Sequence, residues 1–292
     1  MPFTPPMTLR LTGACLTAGC LALAGPAGSA AAGTDHPQQV DVVMKNSGFA
    51  FPHHLHAGWV TFRTTTKDAQ GHTLQGFRLR KGHTLAQLSA DLNNAVSNTP
   101  ATAAAGISGV AKDALLVGGT AVEPSTAVSS TMPLRAGTYW FFDFNQVFAH
   151  QPLTFHKVQV HGDFEDAPLH FAAVVKQVET KNGPRFLAPE SFNTDNNVLV
   201  ENRADEIHEL SFQRVKPGVT DKDLTKVFNG TSTTNPFAEN GSRGLAPMSP
   251  GRVQVLHFDP VGGRYAMLCF IPDDKSGIPH AFLGMHRIIR LR

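Results

Sequence analysis

The chain has 292 residues, of which 41% are hydrophobic and 16% are charged, and its formal net charge is +2. This composition is typical of a folded globular protein with room for two ordinary domains, and it excludes a wholly disordered chain. No run of Lys or Arg builds a basic stripe that could follow a phosphate backbone, so we expect no nucleic-acid partner.

The first 33 residues are predicted to be a secretory signal peptide. An uncharged apolar run, LTGACLTAGCLALA, follows Arg10, and Gly25-Pro26 and several small residues suit a cleavage between Ala30 and Gly33. The apolar run is too short to span a bilayer comfortably, although a retained N-terminal anchor is the alternative. The sequence therefore predicts a secreted protein, extracellular or periplasmic, with no membrane span after signal removal.

Signal removal leaves one cysteine in the mature chain. Cys15 and Cys20 lie in the signal peptide, and Cys269 is the third and last cysteine. Secreted proteins use cysteines in pairs, so a single one suggests a reactive thiol, an intermolecular bridge or a metal ligand. Because an exposed thiol is oxidised outside the cell, we expect Cys269 to be either buried and inert or occupied.

The rest of the chain is predicted to be all-β. Short β-branched or aromatic runs are bounded by Gly, Pro and Asn, among them VDVVMK, GWVTFRTTT, TYWFF, KVQVHG, NVLVEN, RVQVLHF, RYAMLCF and RIIRL. Two helical stretches interrupt them, HTLAQLSADLNNA and VTDKDLTKVFN. Thr84 and Thr220 are their expected N-caps.

The two halves of the mature chain repeat one design. At a constant offset, His72, Arg78, Gly82, Thr84 and Leu88 match His208, Arg214, Gly218, Thr220 and Leu224, and Gly137 and Tyr139 later match Gly263 and Tyr265. An internal repeat of this length indicates a duplicated domain. The sequence predicts two antiparallel β-sandwiches, each with a short helical insertion, over residues 38–162 and 168–292.

The second half contains the ligand types of one copper ion. A type 1 copper site uses one thiolate, two imidazoles and a weakly bound thioether. His208 supplies the first imidazole, and Cys269, His280 and Met285 follow in the segment CFIPDDKSGIPHAFLGM. Each residue alone has an ordinary structural explanation, but the ordered set uses the single mature cysteine. The set therefore predicts a copper site.

The pattern resembles the cupredoxin, or blue copper, family. In that family an Asn precedes the first ligand His, as Asn202 does here, and a G-x-Y-x-x-x-C strand leads into the terminal ligands, as Gly263, Tyr265 and Cys269 do here. Two features depart from the family pattern. The Cys-to-His stretch is longer than in the small members, and Glu209 follows the first ligand where many members have Asn.

The resemblance implies two tandem Greek-key cupredoxin-like β-sandwiches and one type 1 copper per chain, held by His208, Cys269, His280 and Met285. It also implies single-electron transfer with a redox partner protein, or copper holding for another protein. His280, on the loop, would be the edge through which electrons enter and leave. The alternative is a non-redox extracellular binding module whose cupredoxin pockets are empty.

The first half keeps both imidazoles and lacks both sulfur ligands. The residues at its four ligand positions are His72, Asp143, His150 and Phe155. A His/Asp/His set would suit a harder metal, but Phe155 closes the axial side. We interpret the two histidines as retained by common descent, and we expect a degenerate site in a structural or partner-binding domain.

Enzymatic activity is not expected. Duplicated cupredoxin enzymes, such as multicopper oxidases and nitrite reductases, place a His directly before the type 1 Cys, where this chain has Leu268. His54 and His56 form a single His-x-His pair, and we interpret these two residues and His53 as a crowded turn at a strand edge rather than as a metal site. Without a second metal centre, dioxygen or nitrite chemistry lacks its electron supply and its Lewis acid.

Overall fold

The computed structural model describes residues 36–124, 126–193, 197–238 and 241–292. The predicted signal peptide, residues 1–33, lies outside them. The described residues belong to one compact unit, Asp35–Arg292, and the division into domains at 38–162 and 168–292 stays a prediction. Within this part of the chain, no helix is both long enough and apolar enough to cross a membrane.

Strands dominate both halves, so the predicted all-β class with short helical insertions is confirmed. The first half contains β1 (Gln38–Met44), β2 (His54–Thr66), β3 (His72–Leu79), α1 (Leu85–Ala95), α2 (Pro100–Asp113), β4 (Ala114–Val122), β5 (Val128–Leu134), β6 (Gly137–Asp143), α3 (Asn145–Phe148) and β7 (His156–Glu165).

The second half follows after a strand-free stretch. It contains β8 (Ala173–Thr180), β9 (Gly183–Leu187), β10 (Ser191–Phe192), β11 (Val198–Asn202), β12 (His208–Arg214), α4 (Asp221–Phe228), β13 (Arg243–Met248), β14 (Val253–Phe258), β15 (Gly263–Leu268) and β16 (His286–Leu291).

The predicted N-caps are confirmed in both halves. Thr84 caps α1 and Thr220 caps α4, each in a capping box with the residue three positions on, Gln87 and Asp223 respectively. Each box satisfies two backbone N–H groups that have no partner inside the helix. Local sequence chemistry therefore sets where these helices begin.

Helix α2 was not predicted from the sequence. Gly106 and Gly109 lie in its interior, and glycine weakens an isolated helix. Both glycines serve packing against α1, because a Cβ at Gly106 would lie 2.2 Å from the Ala95 nitrogen and one at Gly109 would lie 2.1 Å from Asp91 Oδ2. The helix is thus stabilised by its neighbour more than by its own sequence.

The described strands of the two halves share one continuous path of hydrogen-bonded neighbours. Its order is β10-β16-β15-β12-β13-β4-β3-β6-β7-β2-β5-β14-β11-β8-β9, and β1 pairs with β2. The halves meet twice, where β13 pairs with β4 and where β14 pairs with β5, both antiparallel. One core cluster lies within the first half, and a larger one includes residues of both halves.

Two matched tyrosines hold equivalent turns in the two halves. Tyr139 donates its hydroxyl hydrogen to the carbonyl of Arg135 at 3.0 Å, and Tyr265 donates to the carbonyl of Val261 at 2.7 Å. Both rings are buried. Each phenol therefore fixes the chain just before the strand that carries it, as buried tyrosines with a partner for their hydroxyl commonly do.

Gln254 is a buried polar link between the halves. It lies in β14, and its Oε1 accepts hydrogen bonds from the Gly119 N–H at 2.9 Å and from the Ser130 hydroxyl at 2.7 Å. Its Nε2 donates to the Ala246 carbonyl at 3.2 Å. The fully buried amide thus joins polar groups of both halves through these hydrogen bonds.

We expect Gln254→Leu to lower the free energy of unfolding by about 2–4 kcal/mol, because it leaves the Gly119 N–H and the Ser130 hydroxyl buried without a partner. Urea unfolding measures the effect. The control is Gln39→Leu, an exposed glutamine on β1, with an expected change within about 0.5 kcal/mol. Equal unfolding free energies for the two variants would contradict the linking role of Gln254.

Candidate metal centre

Antiparallel pairing brings the first two predicted ligands to the same end of the sheet. His208 is the first residue of β12, and Cys269 directly follows β15. The two strands are neighbours, with Ser211 opposite Leu268. The start of one strand therefore lies beside the end of the other, although 60 residues of chain separate Glu209 from Cys269.

The segment after Cys269 folds back on itself and returns the third residue to the first two. The Ala281 N–H donates to the Cys269 carbonyl at 2.7 Å, and the His280 N–H donates to the Ile271 carbonyl at 3.0 Å. The chain turns at Ser276-Gly277, with the Gly277 N–H donating to the Asp273 carbonyl at 2.8 Å. Backbone hydrogen bonds thus place His280 next to Cys269.

Three donor atoms converge at this point. His208 Nδ1 and His280 Nδ1 lie 3.0 Å apart, and Cys269 Sγ lies 3.7 Å from the first nitrogen and 3.5 Å from the second. All three side chains are buried, with 0% of each exposed. Within the described residues, this trio is the group of close donors that contains a sulfur.

The three donors fit a copper ion. A triangle with these sides has its centre about 2.0 Å from each corner, and metal ions bind imidazole nitrogen and thiolate sulfur at about 2.0–2.3 Å. One thiol with two imidazoles is the donor set of a trigonal copper site. The buried Nε2 of His208 has no hydrogen-bond partner among the described groups.

Met285 is buried and belongs to the same core cluster as Cys269. Its N–H donates to the His280 carbonyl at 2.9 Å, so the backbone of the loop ties these two residues together. The ligation of a metal by His208, Cys269, His280 and Met285 stays a prediction, and the structure brings the first three together through their donor atoms.

His280, which we expect to be the edge for electron entry and exit, is not exposed to solvent. The side chain is fully buried, and its Nε2 lies 3.1 Å from Glu206 Oε2. The same carboxylate oxygen accepts the Asp274 N–H at 3.0 Å, and Lys275 Nζ lies 3.9 Å from Glu206 Oε1. The long Cys-to-His stretch therefore covers His280 and supplies groups that hold Glu206 over it.

Sequence reasoning missed Glu206. A carboxylate that accepts the outer N–H of a ligand histidine fixes the tautomer and the ring orientation, and it raises the basicity of the ligating nitrogen. The signal was the position of Glu206 two residues before His208, in ENRADEIHE. Its partner is His280, however, and that pairing depends on how the loop folds.

Burial controls the protonation of the donors. Burial, and next the charge of His280, lower the pKa of His208 to about 3, so its imidazole is neutral and free to bind a cation. Burial, followed by the neighbouring charge of Glu209, raises the pKa of the Cys269 thiol well above its usual value. Without a cation the sulfur therefore keeps its proton.

Glu209 stands where the resemblance leads us to expect Asn. Burial of its carboxyl group raises the pKa of Glu209 to about 7, while the hydrogen bond from the Phe270 N–H, 2.7 Å from Oε1, acts in the opposite direction. Its own backbone N–H points at Cys269 Sγ at 3.5 Å. Glu209 thus contacts both the sulfur and the backbone that directly follows it.

In the first half, carboxylates engage the histidine at the matching position. His72 Nδ1 lies 2.6 Å from Asp143 Oδ2, and its Nε2 lies 3.1 Å from Asp68 Oδ2. His150 is exposed, and Phe155 packs against neighbouring aromatic rings. These contacts agree with the expected degenerate site, which stays a prediction.

A cavity of about 510 Å³ opens beside the centre, between the Cys269-to-His280 segment and the α1 and α2 helices. Its walls are mostly apolar and include Leu92, Ile107, Phe270 and Ile278, with Glu209 among the polar lining groups. The helical insertion of the first half thus forms a wall next to the candidate metal centre of the second.

No protein-family model matches the chain, and no curated protein sequence matches it. Among solved structures, auracyanin A, a "blue" copper protein of Chloroflexus aurantiacus, is 21% identical, with 43% of this chain and all 100% of auracyanin covered at a TM-score of 0.31. A Roseiflexus castenholzii auracyanin is 13% identical, with 42% and 98% covered at a TM-score of 0.26. A multicopper oxidase is 12% identical, with 88% of each chain covered at 0.24.

A "blue" copper protein is thus among the solved structures similar to this chain, in agreement with the resemblance expected from the sequence. At such identities and TM-scores the likeness carries no argument about ligands or activity. The matches include a blue copper protein and a multicopper oxidase, and the expectation that the chain is not an enzyme stays a prediction.

We expect Cu(II) binding at this centre to release one proton per ion at about pH 8–9, where Glu209, with a pKa of about 7, is already ionised and the raised pKa of the Cys269 thiol keeps the thiol protonated until the metal displaces the proton. The apparent affinity should rise about tenfold per pH unit over this range. Calorimetric titration of the protein with Cu(II), repeated in buffers of different ionisation enthalpy, gives the number of protons released per ion. A Cys269→Ser variant should not show this release. A wild-type affinity for Cu(II) that does not change with pH would contradict the prediction.

Gly277→Ala should disrupt both the turn and the centre. Gly277 has a φ of +68°, and an added Cβ would lie 1.8 Å from the Pro100 carbonyl oxygen at the start of α2. The matched control is Gly251→Ala, at a φ of +73° with nothing within 4 Å. The control should lose about 1–2 kcal/mol for backbone strain alone.

Gly277→Ala should lose more stability than the control, and its affinity for Cu(II) should fall because His280 is displaced. Urea unfolding and a Cu(II) titration measure the two effects. Equal losses of stability with equal copper affinities would show that the contact between the loop and Pro100 does not position the centre.

Proposed function

We propose that the chain is a copper protein of the cupredoxin type that carries single electrons outside the cytoplasm. One copper ion would be held by His208, Cys269 and His280, with Met285 as the weak fourth ligand. The observation that carries the proposal is the convergence of a buried thiol and two buried imidazole nitrogens within 3.7 Å of one another.

Copper, when bound, supplies a couple between two oxidation states that differ by one electron. The neutral imidazole of His208 binds without first losing a proton, and the thiol of Cys269 gives up its proton. The carboxylate of Glu206 holds His280 so that Nδ1 faces the other donors. Burial keeps water away from the sulfur and protects it from oxidation.

The rigidity of the site suits electron transfer. His208 starts a strand that is paired on both sides, and the Cys269-to-Met285 segment is tied by its own backbone hydrogen bonds. Donors that are fixed before the metal binds need little movement when the oxidation state changes. The partner would be a redox protein, and secretion would follow from the predicted signal peptide.

Copper holding for another protein is the second candidate. The observation that favours it is the cover over His280, whose outer nitrogen faces Glu206 instead of solvent. A covered ligand lengthens the path to a redox partner and slows loss of the ion.

The proposed carrier is not an oxidase or a reductase, because Leu268 stands where such enzymes place a histidine that leads to a second centre.

The purified mature chain, loaded with Cu(II), should bind one ion at this centre and turn intensely blue, because a copper–thiolate bond absorbs strongly in the visible range. Cys269→Ser should lose the colour and stay folded. Met285→Leu should keep the colour and shift the reduction potential, whereas the control Met267→Leu, at a buried methionine of β15, should change neither. A colourless wild type would favour the non-redox binding module.

A further inference from the structure

Several histidines gather where β2 begins, beside β7. The structure places His54 and His56 within strand β2, not in the turn that the sequence suggested. Strands β2 and β7 are parallel, and His56 lies opposite His161. Since alternate residues of a strand share a face, His54, His56 and His161 project from the same side. Leu55 and Val160 are buried on the other side, so the histidines face outward.

Two of these rings point nitrogen atoms at each other. His54 Nδ1 lies 3.0 Å from His161 Nε2, and the two ring planes differ by 15°. Metal–imidazole bonds are about 2.0–2.1 Å long, so two nitrogens at right angles around one ion lie about 2.9 Å apart. The pair therefore has the spacing of adjacent ligands on a tetragonal metal ion.

The backbone holds both histidines in place. Around His54 and His56, strand β2 is hydrogen-bonded to β7, and the register between the two strands shifts just after His56. Such an irregularity bends the strand locally and redirects neighbouring side chains. Donor atoms carried on paired strands lose little freedom on binding, which favours a site built there over one built on a loop.

The donor set selects the metal. Imidazole nitrogen suits copper, nickel and zinc, and among these divalent ions Cu(II) binds most tightly and prefers a tetragonal arrangement. The close three-donor groups found in the described part of the chain do not include these histidines. The protein thus contributes two nitrogens, and water would complete the coordination of an ion that remains open to solvent.

We propose that His54 and His161 form a surface site for Cu(II), separate from the buried His208, Cys269 and His280. The site contains no thiolate, so copper bound there would not be blue. It does not depend on the proposed function, because its two ligands come from β2 and β7 of the first half.

The test uses the mature chain with Cys269→Ser and His208→Ala, which remove the thiolate and one imidazole of the buried centre, and Cu(II) alone as the probe. Equilibrium dialysis and electron paramagnetic resonance should detect one non-blue ion coupled to imidazole nitrogen. His54→Ala and His161→Ala should each weaken its binding at least about tenfold. Mutating residues that only contact a metal's ligands already lowers metal affinity by about that factor, and these two variants remove a ligand itself. Because both side chains are exposed, circular dichroism should show unchanged folds.

The matched control is His53→Ala. His53 is an exposed neighbour of the pair, but its Nδ1 lies 2.8 Å from the Lys157 carbonyl oxygen and its ring stacks on His156. This variant should bind the non-blue ion as the parent does. The proposal fails if His54→Ala and His161→Ala keep the parent affinity, or if His53→Ala weakens it equally. If the wild type binds blue copper but no non-blue ion, this site is wrong and the proposed function is unaffected. If the wild type binds the non-blue ion but no blue copper, the proposed function is wrong and this site is unaffected.

Discussion

The candidate metal centre depends on the antiparallel pairing of β12 with β15. That pairing lays the first residue of β12, His208, beside the residue that follows β15, Cys269. A slip of one residue would turn every side chain of the shifted strand to the other face of the sheet and separate the two donors. The loop that brings His280 back is in turn anchored on Cys269, through the bond between the Ala281 N–H and the Cys269 carbonyl.

Carboxylates surround this centre closely. Glu206 faces the outer nitrogen of His280, and Glu209 binds the backbone that follows Cys269. A buried negative charge beside a cation site offsets the cost of removing the cation from water, whereas the same carboxylate without a cation is costly to bury. The direction of the pKa shifts agrees, since burial raises the pKa of both Glu209 and Cys269. These groups favour a bound positive charge.

The two halves use one scaffold for different interiors. Thr84 and Thr220 cap matched helices, and Tyr139 and Tyr265 brace matched turns. At the ligand position of the first half, however, His72 is held between Asp143 and Asp68. Hydrogen bonds between His72 and carboxylates, together with aromatic packing, fill the place that three donors occupy in the second half. The helical insertion of the first half, through Pro100, then supports the loop of the second.

The sequence alone determined the features that depend on neighbouring residues. β-branched runs and turn residues predicted the strands, Thr84 and Thr220 predicted the helix starts, and the order of ligand types predicted which residues would meet. These signals are local or compositional, so they survive without knowledge of register. The meeting of His208, Cys269 and His280 followed from recognising a pattern of residue types.

Tertiary structure decided what depends on contacts between distant segments. Glu206 lies 74 residues from His280, and His54 lies 107 residues from His161. The first contact follows from the path of a loop, and the second from the register of two parallel strands. Helix α2 was missed for the same reason, because Gly106 reads as a helix weakener until the backbone of α1 is seen against it. Periodicity records which face a residue occupies, whereas its partner on that face is set by packing.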